Sequence, residues 1–125
     1  MKKIIAIVQI KKVSATKHAL IGAGYPAFIV RRVIGRGKGN VAFRANSGAA
    51  EAVAPSPHDG PMLIPKRMVT LVVPDAAAPE IVRLLIATNQ TGSKGDGKIF
   101  VQNVEEAVRI HTGERDEGAL SLSQG

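Results

Sequence analysis

The residues best suited to chemistry run from Thr91 to Phe100, as Thr91-Gly92-Ser93-Lys94-Gly95-Asp96-Gly97-Lys98-Ile99-Phe100. Glycine lets backbone N–H groups approach an anion closely, and Lys94 and Lys98 supply countercharge. The spacing is not that of a Walker A loop, which opens a helix after a strand. On chemistry alone a phosphate cradle and a plain Gly-rich turn both remain open, and Asp96 suits the shaping of the turn. A second cluster, Gly35-Arg36-Gly37-Lys38-Gly39, could join Lys98, Arg109 and His111 in a composite anion pocket, because guanidinium groups grip phosphate bidentately. Solvated surface charge is the competing reading. Lys66, directly after Pro65, is better placed than Arg67 to face a ligand.

Other chemistries find little support. His18, His58 and His111 are far apart and there is no cysteine, so no transition-metal site is expected. Ser93 has no placed base, and Asp96 and Glu106 form no recognisable acid/base pair, so no catalytic residue is assigned. The formal charge of +7 draws anionic partners. Nucleic acid is disfavoured among them, because the basic residues are scattered and stacking aromatics nearly absent. No run approaches the roughly 18 apolar residues of a membrane span, and the opening Met1-Lys2-Lys3-Ile4-Ile5 is followed by Gln9, Lys11 and Lys12 rather than a cleavage site, which reads as cytoplasmic.

The elements that must position these groups follow from periodicity. With 125 residues the chain fits one domain, residues 1–125. Strands are expected over Lys3 to Gln9, Ala27 to Ile34, Met68 to Val73 and Ile99 to Val104, with a further short one at Ala107 to Ile110. A helix is expected over Ser14 to Ala23, ended by Gly22 and Gly24. A second starts at Pro79 with Ala78 as cap and turns Ile81, Leu84, Leu85 and Thr88 toward a sheet. Between Gly35 and Pro65 periodicity gives way to Gly, Ala, Ser, Asn and Pro, a loop long enough to be functional. The tail, about 115–125, is expected to be flexible. The order is that of a split βαβ, or ferredoxin-like, α+β fold with both helices on one face of an antiparallel sheet. Its other face keeps apolar side chains that self-association would bury.

Gly92 to Phe100, Arg109-Ile110-His111-Thr112-Gly113-Glu114, the strand ending Val73-Pro74-Asp75 and the opening Met1-Lys2-Lys3-Ile4 resemble the PII signal-transduction proteins over nearly the whole chain. The resemblance implies a non-catalytic homotrimer that binds ATP or ADP, the former with Mg2+, in clefts between subunits. It implies that Gly35 and Gly37 stand at the base of a large T-loop, about 36–64, and that Gly92, Lys98 and Arg109 belong to the nucleotide-phosphate site. Lys66 matches the lysine that holds a carboxylate of 2-oxoglutarate. His111 stands where the family usually has a second arginine, and the loop glutamine that helps hold magnesium and 2-oxoglutarate has no match in Gly35-Arg36-Gly37-Lys38-Gly39-Asn40. The single tyrosine is Tyr25, which removes uridylylation of a loop tyrosine.

The loop boundaries Val33 to Lys38 and Ile64 to Met68 are similar to those of the nitrogenase-associated PII-like proteins, specifically the longer-loop member that works with a shorter paralogue. This implies a nitrogenase component as target. An ammonium transporter, glutamine synthetase or another enzyme of nitrogen metabolism is the alternative.

Overall fold

The computed structural model describes residues 1–36 and 63–121. Gly37, Lys38 and nearly all of the expected T-loop lie outside the described residues, as do positions 122–125.

Strand β1, Lys2–Val8, is followed by a 3₁₀ turn, Ile10–Lys12, and helix α1, Val13–Gly22. Strands β2, Ile29–Gly35, and β3, Ile64–Val73, precede helix α2, Ala78–Asn89, and strand β4, Gly97–Asn103. The sheet order is β2-β3-β1-β4 and every neighbouring pair is antiparallel. With strand, helix, strand, strand, helix, strand along the chain, this is the ferredoxin-like split βαβ fold.

Alternation along the central strands decides what is covered. Ile4, Ala6 and Val8 of β1 and Val69, Leu71 and Val73 of β3 are buried with Leu20 of α1 and Ala78, Ile81 and Leu85 of α2. The two helices pack on each other as well as on this face. Their seam holds one buried polar pair. Asn89 donates through Nδ2 to the Thr16 hydroxyl at 3.1 Å and to the Leu85 carbonyl at 3.0 Å, while Thr16 donates to the Lys12 carbonyl at 2.8 Å, so neither group is buried without a partner.

Several boundaries differ from expectation. Strand β3 starts at Ile64 rather than Met68, because it is flanked by both β1 and β2; Lys66 is therefore a strand residue, paired with Val33, and not part of a loop exit. Helix α2 starts one residue early, at Ala78, after a 3₁₀ turn over Asp75–Ala77; Pro79 sits in its first turn, where a missing N–H costs nothing. The expected strand at Ala107 to Ile110 is only an isolated bridge, Val108 with Arg115. Asp116–Ala119 form a further 3₁₀ turn. No helix among the described residues is long and apolar enough to cross a membrane.

Candidate functional site

Register gathers the candidate residues at one end of the sheet. Val8 at the end of β1 lies between Arg67 of β3 and Gly97 of β4, and Gly35 at the end of β2 pairs with Ile64. Ile7 pairs with Lys98 on one side and Met68 on the other. Antiparallel partners share a face and alternate residues repeat it, so Lys66 and Lys98 both stand on the face away from the helices.

The glycine loop between α2 and β4 is braced from within. One carboxylate oxygen of Asp96 accepts hydrogen bonds from the backbone N–H groups of Thr91, at 2.7 Å, and Gly92, at 3.0 Å, and the other accepts from the Thr91 hydroxyl. That hydroxyl in turn accepts the Ser93 N–H at 3.2 Å. The Thr91 hydroxyl and backbone bonds hold the Asp96 carboxyl below its usual range. The first amides of the loop, Gly92 included, are thus turned inward to Asp96 rather than outward to a ligand. Lys94 and Lys98 are exposed and have no acidic partner among the described residues.

Gly97 shows why the loop joins the strand through glycine. Its φ is +118°, and a Cβ there would lie 1.9 Å from the Ile7 carbonyl oxygen. Only glycine permits both the conformation and the approach. Gly92 and Gly95 also have positive φ.

Gly95 is tied to the strands by its carbonyl, which accepts from Lys66 Nζ at 2.6 Å and from Gln9 Nε2 at 3.0 Å. Burial lowers the pKa of Lys66, and the charge of Asp96 works in the opposite direction. Sequence reasoning missed Gln9 and the brace role of Thr91. The only available signals were a lone polar residue closing an apolar strand and the Thr91-to-Asp96 spacing.

Arg109 and His111 are not brought to this cluster within one chain. They lie on a hairpin after β4, which leaves the sheet at its opposite end, where the Val104 N–H donates to the Met1 carbonyl. Arg109 Nη2 donates to the carbonyls of Leu120, at 3.3 Å, and Gly118, at 3.5 Å, and its Nε lies 3.9 Å from Glu114. Leu120 in turn lines a pocket with Tyr25, Phe28 and Thr70. Ile110, between Arg109 and His111, is 99% exposed, so the tip of the hairpin touches almost nothing of its own chain.

Charge separates along the same axis. Lys11, Lys12, Arg36, Lys66, Arg67, Lys94 and Lys98 sit at the loop end, where Asp96 is the one acidic group among the described residues and is engaged internally. At the other end, Asp75 accepts the terminal ammonium of Met1 at 2.9 Å and lies 3.7 Å from Lys2, and Glu106 pairs with Arg115. With cations in such excess over acidic groups among the described residues, and Lys94 and Lys98 unpaired with any of those acids, this end is suited to an anion.

Comparison with known proteins identifies the family. The family model described as "Nitrogen regulatory protein P-II" matches residues 1–114. A "Nitrogen fixation nifHD region glnB-like protein 2" of Methanococcus maripaludis is 40% identical over 125 residues, covering 96% of this chain and 100% of the relative. A protein of the same description from Methanothermococcus thermolithotrophicus is 40% identical, covering 96% and 98%. The "Nitrogen regulatory protein P-II" of Haemophilus influenzae is 35% identical over 120 residues, covering 96% and 100%. Matched along its folded length and sharing the fold, the chain belongs to the P-II family of nitrogen regulatory proteins, and is a signalling regulator rather than an enzyme.

Proposed function

We propose that the chain binds ATP or ADP through its cationic end and passes the ligand state to a nitrogenase component through the T-loop. The observation that carries this reading is the segregation of charge. Lys98 and Lys94 have no acidic partner among the described residues, whose carboxylates are gathered at the other end or engaged in bracing the glycine loop beside them. Preorganised cations of this kind fit phosphate oxygens. Mg2+ would enter as the counterion of ATP, since among the described residues no group of acidic and histidine side chains could hold a metal alone.

Arg109 and His111 would reach the phosphates from a second copy of the chain, because their exposed hairpin is remote from Lys98 in its own. A homotrimer, or a mixed assembly with a shorter paralogue, would supply that neighbour and would cover the apolar Ile29 and Phe100 of the open face, 61% and 48% exposed. Lys66, raised from the sheet beside the loop, would hold a carboxylate of 2-oxoglutarate.

The T-loop is joined to the sheet at Gly35 and Ile64, which are register partners at the cationic end. Ligand charge therefore arises next to both roots of the segment expected to touch a target. Differential affinity for its states is what such a switch requires. Relatives bearing the nifHD-region description support nitrogenase as the target.

The decisive experiment is calorimetric titration of the purified protein with Mg·ATP, with and without 2-oxoglutarate, followed by nitrogenase assays under the same conditions. The expected outcome is ATP binding tightened by 2-oxoglutarate, with inhibition of nitrogenase relieved by the two together. Absence of nucleotide binding would overturn the reading. Binding without any effect on nitrogenase would transfer the target to another enzyme or transporter of nitrogen metabolism.

A further inference from the structure

The geometry points to Gln9 as the standby donor that keeps the glycine loop in place when Lys66 is drawn away to a carboxylate ligand. Two side chains from different strand ends converge on one backbone oxygen, the Gly95 carbonyl. A carbonyl has two lone pairs and is satisfied by one donor, so for the fold alone the second is redundant. The two donors are unlike. Lys66 places a partly desolvated ammonium on a neutral carbonyl, and a carboxylate in its place would add the attraction of a full opposite charge. Gln9 donates from an uncharged amide that gains nothing comparable by leaving.

The position of Gln9 is fixed independently of Lys66. Its backbone is extended at φ −69° and ψ 146°, and its carbonyl accepts the Lys12 N–H at 2.9 Å as the chain turns from β1 into α1. The side chain is thereby aimed from a rigid corner across to Gly95. Both Gln9 and Gly95 are partly withdrawn from water. Removing Lys66 with no second donor would leave a half-buried carbonyl unsatisfied and oppose the same ligand that attracted Lys66. With Gln9 present, Lys66 can exchange partners while Gly95, the Asp96 brace and Lys98 keep their places. Nucleotide and carboxylate can then occupy the end of the sheet together instead of competing for its shape. Gln9 is in this sense a positioning residue, acting through Gly95.

This deepens, and rests on, the reading of Lys66 as a carboxylate holder. The test is a double-mutant cycle on Gln9→Leu and Lys66→Met, read by hydrogen exchange of the 92–97 amides and by the factor by which 2-oxoglutarate tightens Mg·ATP binding. Each single variant is expected to leave exchange within about threefold of the parent, and the double variant to accelerate it by about tenfold or more, because only then is the carbonyl orphaned. In Gln9→Leu the tightening factor is expected to fall roughly tenfold. A purely structural residue would shift exchange without moving that factor. A parent protein whose ATP affinity ignores 2-oxoglutarate would remove the carboxylate reading beneath the proposal. A responsive parent with an equally responsive Gln9→Leu variant, or additive effects on exchange, would overturn the standby role alone.

Discussion

The two ends of the sheet solve opposite electrostatic problems. At the end holding Met1, Asp75 and the hairpin, positive groups meet negative ones: the terminal ammonium with Asp75, Arg109 with Glu114, Arg115 with Glu106. At the end holding the glycine loop, the one acidic side chain among the described residues is engaged in bracing backbone, and Lys94 and Lys98 are exposed with no acidic partner among those residues. Self-compensated charge closes a structure, whereas uncompensated charge on a rigid frame prepares it for a partner. The same chain therefore carries a structural end and a receptive end, and the difference lies in where the carboxylates are placed.

The strongest way to break the receptive end is Gly97→Ala. A Cβ meets the Ile7 carbonyl at 1.9 Å in a conformation that L-residues rarely adopt, so β4 must separate from β1 at the loop. A loss of about 3 kcal/mol or more is expected in urea unfolding. An unchanged midpoint would show that the loop can move away from the strand without cost. Next comes Lys98→Ala, expected to weaken Mg·ATP binding by roughly tenfold or more in calorimetry while leaving the melting temperature within about 2 °C. Lys98 is the cleaner probe than Arg109, because Arg109 also ties its own hairpin to the carbonyls of Gly118 and Leu120.

Much of this contrast is legible in the sequence. Alternation in Ile4, Ala6 and Val8 and the helical stripe of Ile81 and Leu85 place the core, since local periodicity reports a buried face directly. The glycine loop is legible as a turn from its composition, although the approach of Gly97 to the Ile7 carbonyl is not. What escapes is whatever depends on partners remote along the chain. Asp75 is taken by the ammonium of Met1, which no local pattern announces. Gln9 finds Gly95 at 86 positions' separation, and although a polar residue closing an apolar strand marks Gln9 itself, nothing local names its partner. Pro65 looks like a loop residue, yet the ladder with β2 carries the strand back to Ile64. Local rules fix which segments become elements; tertiary contacts decide where they stop and which polar groups meet.

Two groups at the receptive end respond to pH at opposite ends of the scale. The Asp96 carboxyl is held below its ordinary value of 3.8 by the Thr91 bonds, so its bracing is fully present above 3.8 and is lost only as pH falls through the depressed value. Loop exchange protection should be constant through neutral pH and fail in acid. Lys66 runs the other way. Its pKa is lowered from 10.5 by burial, so between the lowered value and 10.5 the unfolded chain holds more protons and folding gains stability as pH rises. Carboxylate affinity needs the ammonium and should fall over that same window. A titration in which 2-oxoglutarate affinity stays constant up to pH 10.5 would remove Lys66 from the ligand.

The smallest effect is expected at the structural end, and it completes the contrast. Glu106 and Arg115 form an exposed ion pair, both side chains more than half accessible. Pairs of this kind contribute about 0–1 kcal/mol, since water screens the attraction and two long side chains must be ordered to make it. Glu106→Gln should therefore shift urea unfolding by no more than about 0.5 kcal/mol and leave Mg·ATP affinity unchanged. Arg115 keeps its place through the Val108 bridge, which is a backbone pairing. A large loss of nucleotide affinity in Glu106→Gln would mean that the charges at this end are read by the ligand after all, and that the hairpin of one copy is positioned over the receptive end of another by its acidic residues as well as by Arg109 and His111.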